Sequence, residues 1–166
     1  VARAILGLIR YRGQVRFPGH AGKRAAAVIA FQNPDHQLFR PTVRGEIEEA
    51  ARRLRAFDVE RANMVVKSLG LGCVLDKDPL ALPFAKRRLV TIAAALVPSL
   101  PVAILDEPSA FLNEEQVASV LRAAHNAARR GTAVIAISHD EIFVDAFASR
   151  AVHLERGQLV TQPVSG

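Results

Sequence analysis

Three short apolar runs, each followed by a polar residue, constrain the fold of this chain more than any other feature. They are residues 27–31, 102–105 and 132–138. Continuously apolar runs of this length are typical of strands in a parallel sheet that helices cover on both faces. Because helical patterns lie between the runs, we predict an α/β fold with a mostly parallel sheet flanked by helices.

The remaining elements follow from periodicity and from helix-capping signals. Asn113 is placed to cap a long helix that ends at Gly131, and Pro83 is expected at the first position of another helix. Helices are predicted at 1–9, 42–56, 58–69, 83–97, 113–130 and 140–147. A short alternating strand is predicted at 14–17, and a turn-forming loop at 18–22. A closing hairpin is predicted at 151–155 and 158–160.

Length, cysteine content and charge limit the kinds of protein and partner that fit this chain. A chain of 166 residues can bury a core as one domain, and no apolar run approaches the roughly 18 residues that span a bilayer. The lone Cys73 excludes an internal disulfide, which suits the cytosol. The net charge of +6 comes from basic side chains scattered through helices, and the chain has no Trp and one Tyr, so no nucleic-acid partner is expected.

Polar side chains directly follow the predicted strands. Gln32, the pair Asp106-Glu107 and His139 each come after an apolar run. Ligands of an α/β sheet bind beyond the carboxyl ends of its strands, so these side chains are expected around one pocket. Carboxylates there can hold Mg²⁺ and polarise a water for attack on a nucleoside triphosphate. Two alternatives remain open, since Gln32 suits an ordinary loop and His139 suits a helix-capping partner.

In this order, the segments resemble the motifs of the ATP-binding cassette (ABC) family, a group with a P-loop NTPase-like fold. Residues 31–39 resemble its Q-loop, 102–109 its Walker B motif, 109–113 its D-loop, 137–140 its H-switch and 153–160 its closing hairpin. The sequence of this Q-loop segment, with Pro41-Thr42-Val43 soon after it, is most similar to that of the ATPases of energy-coupling factor transporters. The resemblance therefore implies an ATPase that drives import of a vitamin or a transition-metal ion such as cobalt or nickel.

The resemblance also assigns roles, with ATP and Mg²⁺ as cofactors. Glu107 would be the general base, and His139 would contact the γ-phosphate. Gln32 would ligate Mg²⁺ and sense the coupling helix of the membrane subunit, and Asp106 would hold Mg²⁺ through water. Further nucleotide-binding candidates lie in the D-loop and signature regions: Ser109, Asn113, Pro83, Phe84, Ala85 and Lys86.

The implied organisation has two parts and two kinds of partner. Residues 1–41 and 98–166 would form the catalytic core, and 42–97 a helical subdomain with the signature region. The subdomain would dock on a transmembrane transporter subunit at the cytoplasmic face of the membrane. A second ABC ATPase domain would pair with this one head to tail around two nucleotides.

The phosphate-gripping Walker A loop is the first departure from the family pattern. Residues 4–9 resemble the helix that follows this loop, so the chain is expected to be a fragment that starts just after it. Gly22-Lys23 does not replace the loop, because Arg24 stands in place of the hydroxyl residue and Phe17 in place of the first Gly. The chain alone is therefore expected to bind ATP poorly or not at all.

Two further departures affect the expected dimer. Residues 82–86 read Leu-Pro-Phe-Ala-Lys where the family has Leu-Ser-Gly-Gly-Gln, and Asn113 replaces the D-loop Asp. The start of the helix with Lys86 can attract phosphate or can be an ordinary solvated basic helix end. One weak and one strong ATP site in a heterodimer or tandem protein is the resulting hypothesis.

Two rival functions remain open at this point. A non-transport cassette, such as a DNA-repair or translation factor, would keep the same motifs. A catalytically impaired cassette would act as a docking or regulatory partner of an active ATPase.

Overall fold

A computed structural model describes residues 2–17, 27–156 and 158–161. The predicted loop at 18–22 and the Gly22-Lys23 pair lie outside the described residues. The helices are α1 (Ala2–Ile5), α2 (Val43–Arg53), α3 (Val59–Ser68), α4 (Phe84–Leu96), α5 (Glu114–Arg129) and α6 (Glu141–Phe147). The strands are β1 (Ala27–Ala30), β2 (Val102–Asp106), β3 (Ala133–Ile137), β4 (Val152–Glu155) and β5 (Gln158–Thr161).

The first three strands form a parallel sheet in the order β1-β2-β3. β2 lies in the centre, with Ala30 paired to Leu105 on one side and Asp106 paired to Ile137 on the other. α4 packs on β1 and β2, and α5 packs on β3. The predicted α/β fold, with a parallel sheet flanked by helices, is therefore confirmed, as is the antiparallel hairpin of β4 and β5.

The buried core lies between one face of this sheet and the helices. Ala30, Ala103 and Leu105 contribute from the strands, and Val90, Ile92 and Val120 are among the helical residues. α4 is buried on almost every side because it stands between the sheet and α2. This central helix therefore connects the sheet to the other helices.

The prediction that helices cover the sheet on both faces is wrong for β3. Ile135 is 38% exposed and Ile137 40% exposed, whereas Ile104 of β2 is fully buried. Because parallel partners point to the same face, Ile104 and Ile135 share one side of the sheet. β3 lies at the edge of the described sheet, so its residues on that side keep part of their exposure.

Three predicted details differ at the ends of elements. The helix expected over 1–9 ends at Ile5, because Gly7 adopts a φ of +69° that terminates a helix. Residues 14–17 keep alternating exposure but pair with no strand of the described chain. Pro83 is the N-cap of α4 and not its first residue. The division into 1–41, 42–97 and 98–166 stays a prediction, although α2, α3 and α4 fall within 42–97.

Capping chemistry explains where the two helices after β2 and β3 begin. Asn113 and Gln116 form a capping box, with Asn113 Oδ1 accepting from the Gln116 backbone N–H at 2.9 Å. Asp140 caps α6 by accepting from the Phe143 N–H at 3.1 Å. Both caps fix the loops that leave the carboxyl ends of the strands. Among the helices of the described residues, none has the length and apolar character that a membrane crossing needs.

Candidate active site

The register of the sheet brings the predicted site residues to one edge. Ala30 pairs with Leu105, so Gln32 and Glu107 each lie two residues beyond that pair. Asp106 pairs with Ile137, so His139 follows at the same end of β3. The polar residues after the three strands therefore leave the sheet at its carboxyl edge, as predicted.

Glu107 and His139 are in direct contact. His139 Nδ1 lies 2.8 Å from Glu107 Oε1, and the Ser138 hydroxyl donates to Glu107 Oε2 at 3.4 Å. A carboxylate only accepts hydrogen bonds, so Nδ1 is the donor. This bond and the charge of Glu107 raise the pKa of His139 above its usual 6.5. The His139 side chain is 86% exposed, which leaves Nε2 accessible, while Glu107 is mostly buried.

The backbone of Glu107 is held in an unusual conformation. Its φ is +49°, in the left-handed region that costs an L-residue about 1–2 kcal/mol. Two bonds hold it there, since its N–H donates to the Ile137 carbonyl at 2.8 Å and its carbonyl accepts from Arg88 at 2.6 Å. This backbone conformation directs the Glu107 side chain from the end of β2 toward His139, which lies two residues beyond the end of β3.

Arg88 is the residue of this region that the sequence analysis missed. It is fully buried, and its Nη1 donates to the carbonyls of Phe31 at 2.5 Å and Gln32 at 2.8 Å. Its Nη2 donates to the carbonyls of Asp106 at 3.2 Å and Glu107 at 2.6 Å. Burial lowers the pKa of Arg88, and the charges of Asp106 and Glu107 act in the opposite direction.

A sequence signal for Arg88 exists. Thr91, Ile92 and Ala95 follow it at helical spacing and are buried on α4, so Arg88 occupies an apolar face. The carbonyls at the ends of β1 and β2 lie beyond the sheet ladder and need donors. Arg88 therefore supplies N–H groups to acceptors that secondary structure leaves without partners.

Gln32 is exposed and lies in a loop that a second glutamine supports. Gln37 donates from Nε2 to the Ile29 carbonyl at 2.9 Å and accepts from the Phe31 N–H at 2.7 Å. The side chain of Gln37 thus continues the hydrogen bonding along β1. Arg88 holds the Gln32 carbonyl, so the backbone of the loop is fixed while the Gln32 side chain stays open to solvent.

The segment 82–86 is held in place by an aromatic contact and by two hydrogen bonds from basic side chains. Phe84 packs edge-on against Phe111 with ring centroids 5.2 Å apart. Lys86 donates to the Gly70 carbonyl at 3.2 Å, and Arg87 donates to the Leu82 carbonyl at 2.8 Å. Lys86 is half-buried, so the start of α4 is not simply a solvated basic helix end.

The loop 108–113 returns to the same region. Asp140 interacts with the Ser109 hydroxyl, and its pKa is lowered first by the Phe143 N–H and then by Ser109. Phe111 is 70% exposed with a φ of +63°, a strained conformation for a bulky residue. The side-chain oxygen of Asn113 accepts the hydrogen bond that caps α5. The loop 108–113 thus contacts the N-cap of α6 through Ser109 and leads into the N-cap of α5 at Asn113.

The donor set suits magnesium. Mg²⁺ takes oxygen ligands, commonly one or two carboxylates completed by substrate phosphates and water. Asp106 and the Gln32 amide supply oxygens at the carboxyl edge of β2 and β1. Within the described chain, no three His, Cys, Asp or Glu side chains group closely enough to hold a metal ion alone. Asp106 and Gln32 are therefore the described residues whose side-chain oxygens could contribute to a magnesium site completed by other ligands.

Comparison with known proteins finds similarity to ATP-binding proteins of transporters. No protein-family model matches the chain. It is 32% identical over 137 residues to the energy-coupling factor transporter ATP-binding protein EcfA of Methanothermobacter thermautotrophicus, covering 81% of the chain and 44% of that protein. It is 34% identical over 140 residues to a putative ABC transporter ATP-binding protein of Brucella suis, covering 82% of the chain and 57% of that protein. The chain thus spans about half the length of these curated relatives.

Solved structures agree with the sequence relatives. The structure of cbiO1 from Clostridium perfringens, part of the ABC transporter complex cbiONQ, superposes with a TM-score of 0.67 at 26% identity, covering 84% of the chain and 57% of cbiO1. An RNase-L inhibitor structure shares the fold with a TM-score of 0.70 at 22% identity, covering 93% of the chain and 29% of that protein. By sequence, the homologues of the chain are ATP-binding proteins of ABC transporters, and its fold is that of ABC ATPases.

Proposed function

We propose that this chain is the catalytic-base portion of the ATP-binding subunit of an energy-coupling factor importer. The observation that carries the proposal is the 2.8 Å contact between Glu107 and His139 at the ends of neighbouring strands. A partly buried carboxylate that is hydrogen-bonded to a histidine is suited to act as a general base that activates water. Bound Mg-ATP would supply the electrophilic phosphoryl group and the bond that breaks.

The residues of the chain have distinct roles in this proposal. Glu107 Oε1 accepts from His139 at 2.8 Å, whereas Oε2 accepts only a long bond of 3.4 Å from the Ser138 hydroxyl. Oε2 is therefore the oxygen that accepts the proton of the attacking water. His139 orients Glu107 through Nδ1 and keeps Nε2 for a phosphate oxygen. Asp106 and Gln32 hold the metal, while Ser109, Asn113 and the segment 82–86 face a second ATPase domain.

The importer assignment rests on the kind of relative that the chain resembles. EcfA is named for an energy-coupling factor transporter, and cbiO1 is described as part of the ABC transporter complex cbiONQ. By analogy, the complete protein would dock on a transmembrane subunit at the cytoplasmic face and drive uptake of a vitamin or a transition-metal ion. Residues 42–97 would form the helical subdomain that makes this contact, and 1–41 with 98–166 the catalytic core.

The test is an ATPase assay on the complete protein with its transmembrane subunit. Glu107→Gln should lower kcat by about 100-fold or more, because the amide cannot take the proton of water. Glu115→Gln, which removes an exposed carboxylate of α5, is the matched control and should keep wild-type activity. Equal rates in the Glu107 and Glu115 variants would reject Glu107 as the base. Uptake of cobalt, nickel or a labelled vitamin by vesicles then tests the importer assignment.

One observation favours a second function. The segment 82–86 lacks a serine hydroxyl and glycines, and Phe84 packs on Phe111 at this position. A cassette of this kind could dock to an active ATPase without completing that partner's site. Hydrolysis that disappears with Glu107→Gln supports the enzyme, whereas a complex whose activity depends only on the partner's base supports the docking function.

A further inference from the structure

We propose that Arg88 is a positioning residue that fixes the two strand ends of the ATP site to helix α4 as one rigid unit. Its guanidinium holds two consecutive carbonyls from the end of β1 and two from the end of β2. The kinetic part of this inference rests on the proposed ATPase function. Its structural part concerns the chain alone and can be tested without hydrolysis.

The two terminal nitrogens of the Arg88 guanidinium donate to the ends of different strands. Nη1 serves only the β1 end, at Phe31 and Gln32, and Nη2 serves only the β2 end, at Asp106 and Glu107. The planar group holds the two nitrogens at a fixed separation, so the guanidinium limits the distance between the two strand ends beyond the Ala30–Leu105 pair. The spacing of the metal-side Gln32 and the base Glu107 therefore depends on Arg88.

The position of Arg88 in the helix adds a second connection. Arg88 lies in α4 just after the segment 82–86, and the neighbouring Arg87 binds the Leu82 carbonyl of that segment. A shift of α4 along its axis would move the guanidinium and with it the backbone of Glu107. Whatever occupies the start of α4, including a second ATPase domain, thereby acts on the base of the same chain.

Lysine cannot take over this task, although it keeps the charge. Its ammonium presents three donors from a single nitrogen, which cannot span carbonyls that two guanidinium nitrogens now serve. Arg61 offers a matched control, because it is the other buried arginine among the described side chains, with bonds to the Leu96 carbonyl and to Thr132 away from the site. A merely structural loss of a buried guanidinium would affect both variants alike.

The experiment compares Arg88→Lys and Arg61→Lys in the complete protein by amide hydrogen exchange. Arg88→Lys should speed exchange by about tenfold or more in peptides covering 31–38 and 106–112, because bonds from a charged donor are lost there. Arg61→Lys should leave these peptides unchanged. Unchanged exchange at both strand ends in Arg88→Lys would overturn the proposal. Arg88→Gln repeats the measurement if the lysine variant does not fold.

Kinetics give the second readout. With Mg-ATP, Arg88→Lys should lower kcat by about 10- to 100-fold while KM stays within about threefold, since a misplaced base slows the chemical step more than binding. Arg61→Lys should keep kcat within about threefold. Equal kcat losses in both variants would overturn the positioning role. If the wild-type protein hydrolyses no ATP, the proposed function fails, and hydrogen exchange still decides whether Arg88 fixes the strand ends.

Discussion

Arg61 and Thr132 are joined by a buried hydrogen bond of 2.8 Å, although 71 positions separate them in sequence. Arg61 also donates from Nε to the Leu96 carbonyl at 2.8 Å, and Thr132 donates to the Leu100 carbonyl at 2.9 Å. This chain of bonds ties α3 to the end of α4 and to the segments that enter β2 and β3. The helices of residues 42–97 are thus anchored to the sheet by polar contacts as well as by packing.

We expect Arg61→Ala to lower the free energy of unfolding by about 2–4 kcal/mol, because it leaves a buried carbonyl and hydroxyl without their donor. Urea denaturation followed by circular dichroism measures the change. Arg53→Ala is the control, since Arg53 is largely exposed and its contact with Glu49 is 3.7 Å long. Its cost should stay within about 0.5 kcal/mol. Similar losses in both variants would contradict the anchoring role of Arg61.

The pKa of His139 should fall when Glu107 is replaced by Gln. The hydrogen bond and charge of Glu107 raise this pKa in the folded protein, and the amide removes the charge. Titration of the ring protons by NMR gives the value, with Glu115→Gln as a control that should leave it unchanged. A His139 pKa that is the same in the Glu107 variant and the wild type would show that the two side chains do not interact in solution.

The same shift predicts a pH dependence of stability. Because the folded pKa of His139 is raised, protonated His139 favours the folded state. The stabilisation is fully present below the unfolded pKa of about 6.5 and is lost as pH rises through the folded value. Unfolding curves across this window should show the loss in the wild type and a smaller one in Glu107→Gln. An equal pH slope in both would contradict it.

Asn113→Ala should cost about 1 kcal/mol of stability, because the capping box of α5 loses its side-chain acceptor. Asn113→Asp keeps an acceptor at the same position and should remain within about 0.5 kcal/mol of the wild type. Thermal unfolding of the three proteins makes the comparison. A loss in the aspartate variant as large as that in the alanine variant would show that the cap is not the source of the stability.

Phe84 and Phe111 should be energetically coupled. An edge-to-face pair with centroids 5.2 Å apart is worth about 0.5–1.5 kcal/mol beyond burial. A double-mutant cycle with Phe84→Ala and Phe111→Ala isolates that value. Phe39 is also largely exposed, and Phe84→Ala with Phe39→Ala should give additive losses. Additivity in the Phe84–Phe111 cycle would indicate that the rings do not pack together in solution.

Local patterns were sufficient to predict much of the fold and the order of the site. The apolar runs gave β1, β2 and β3, and the Asn113 and Gly131 signals gave both ends of α5. The polar residues after the strands needed only the rule that parallel strands share a carboxyl edge. The contact between Glu107 and His139 needed the register of β2 and β3, which the sequence does not state.

The features that sequence reasoning missed depend on distant partners. Helical spacing places Arg88 on the buried face of α4, but the carbonyls that accept its bonds lie 18 to 57 positions away, and no local pattern identifies them. The acceptors of Arg61 are likewise distant in sequence. The exposure of Ile135 and Ile137 depends on which strand lies at the edge. The early end of α1 is the exception, because it is a local effect of Gly7 that the prediction from periodicity did not take into account.

The left-handed backbone at Glu107 restricts which substitutions at this position still allow the protein to fold. A φ of +49° is tolerated by asparagine, aspartate and glycine far better than by valine, isoleucine or threonine. Under the proposed function, any of these residues removes the base. Glycine or asparagine also relaxes the turn, whereas a β-branched residue disturbs the end of β2 that Arg88 holds.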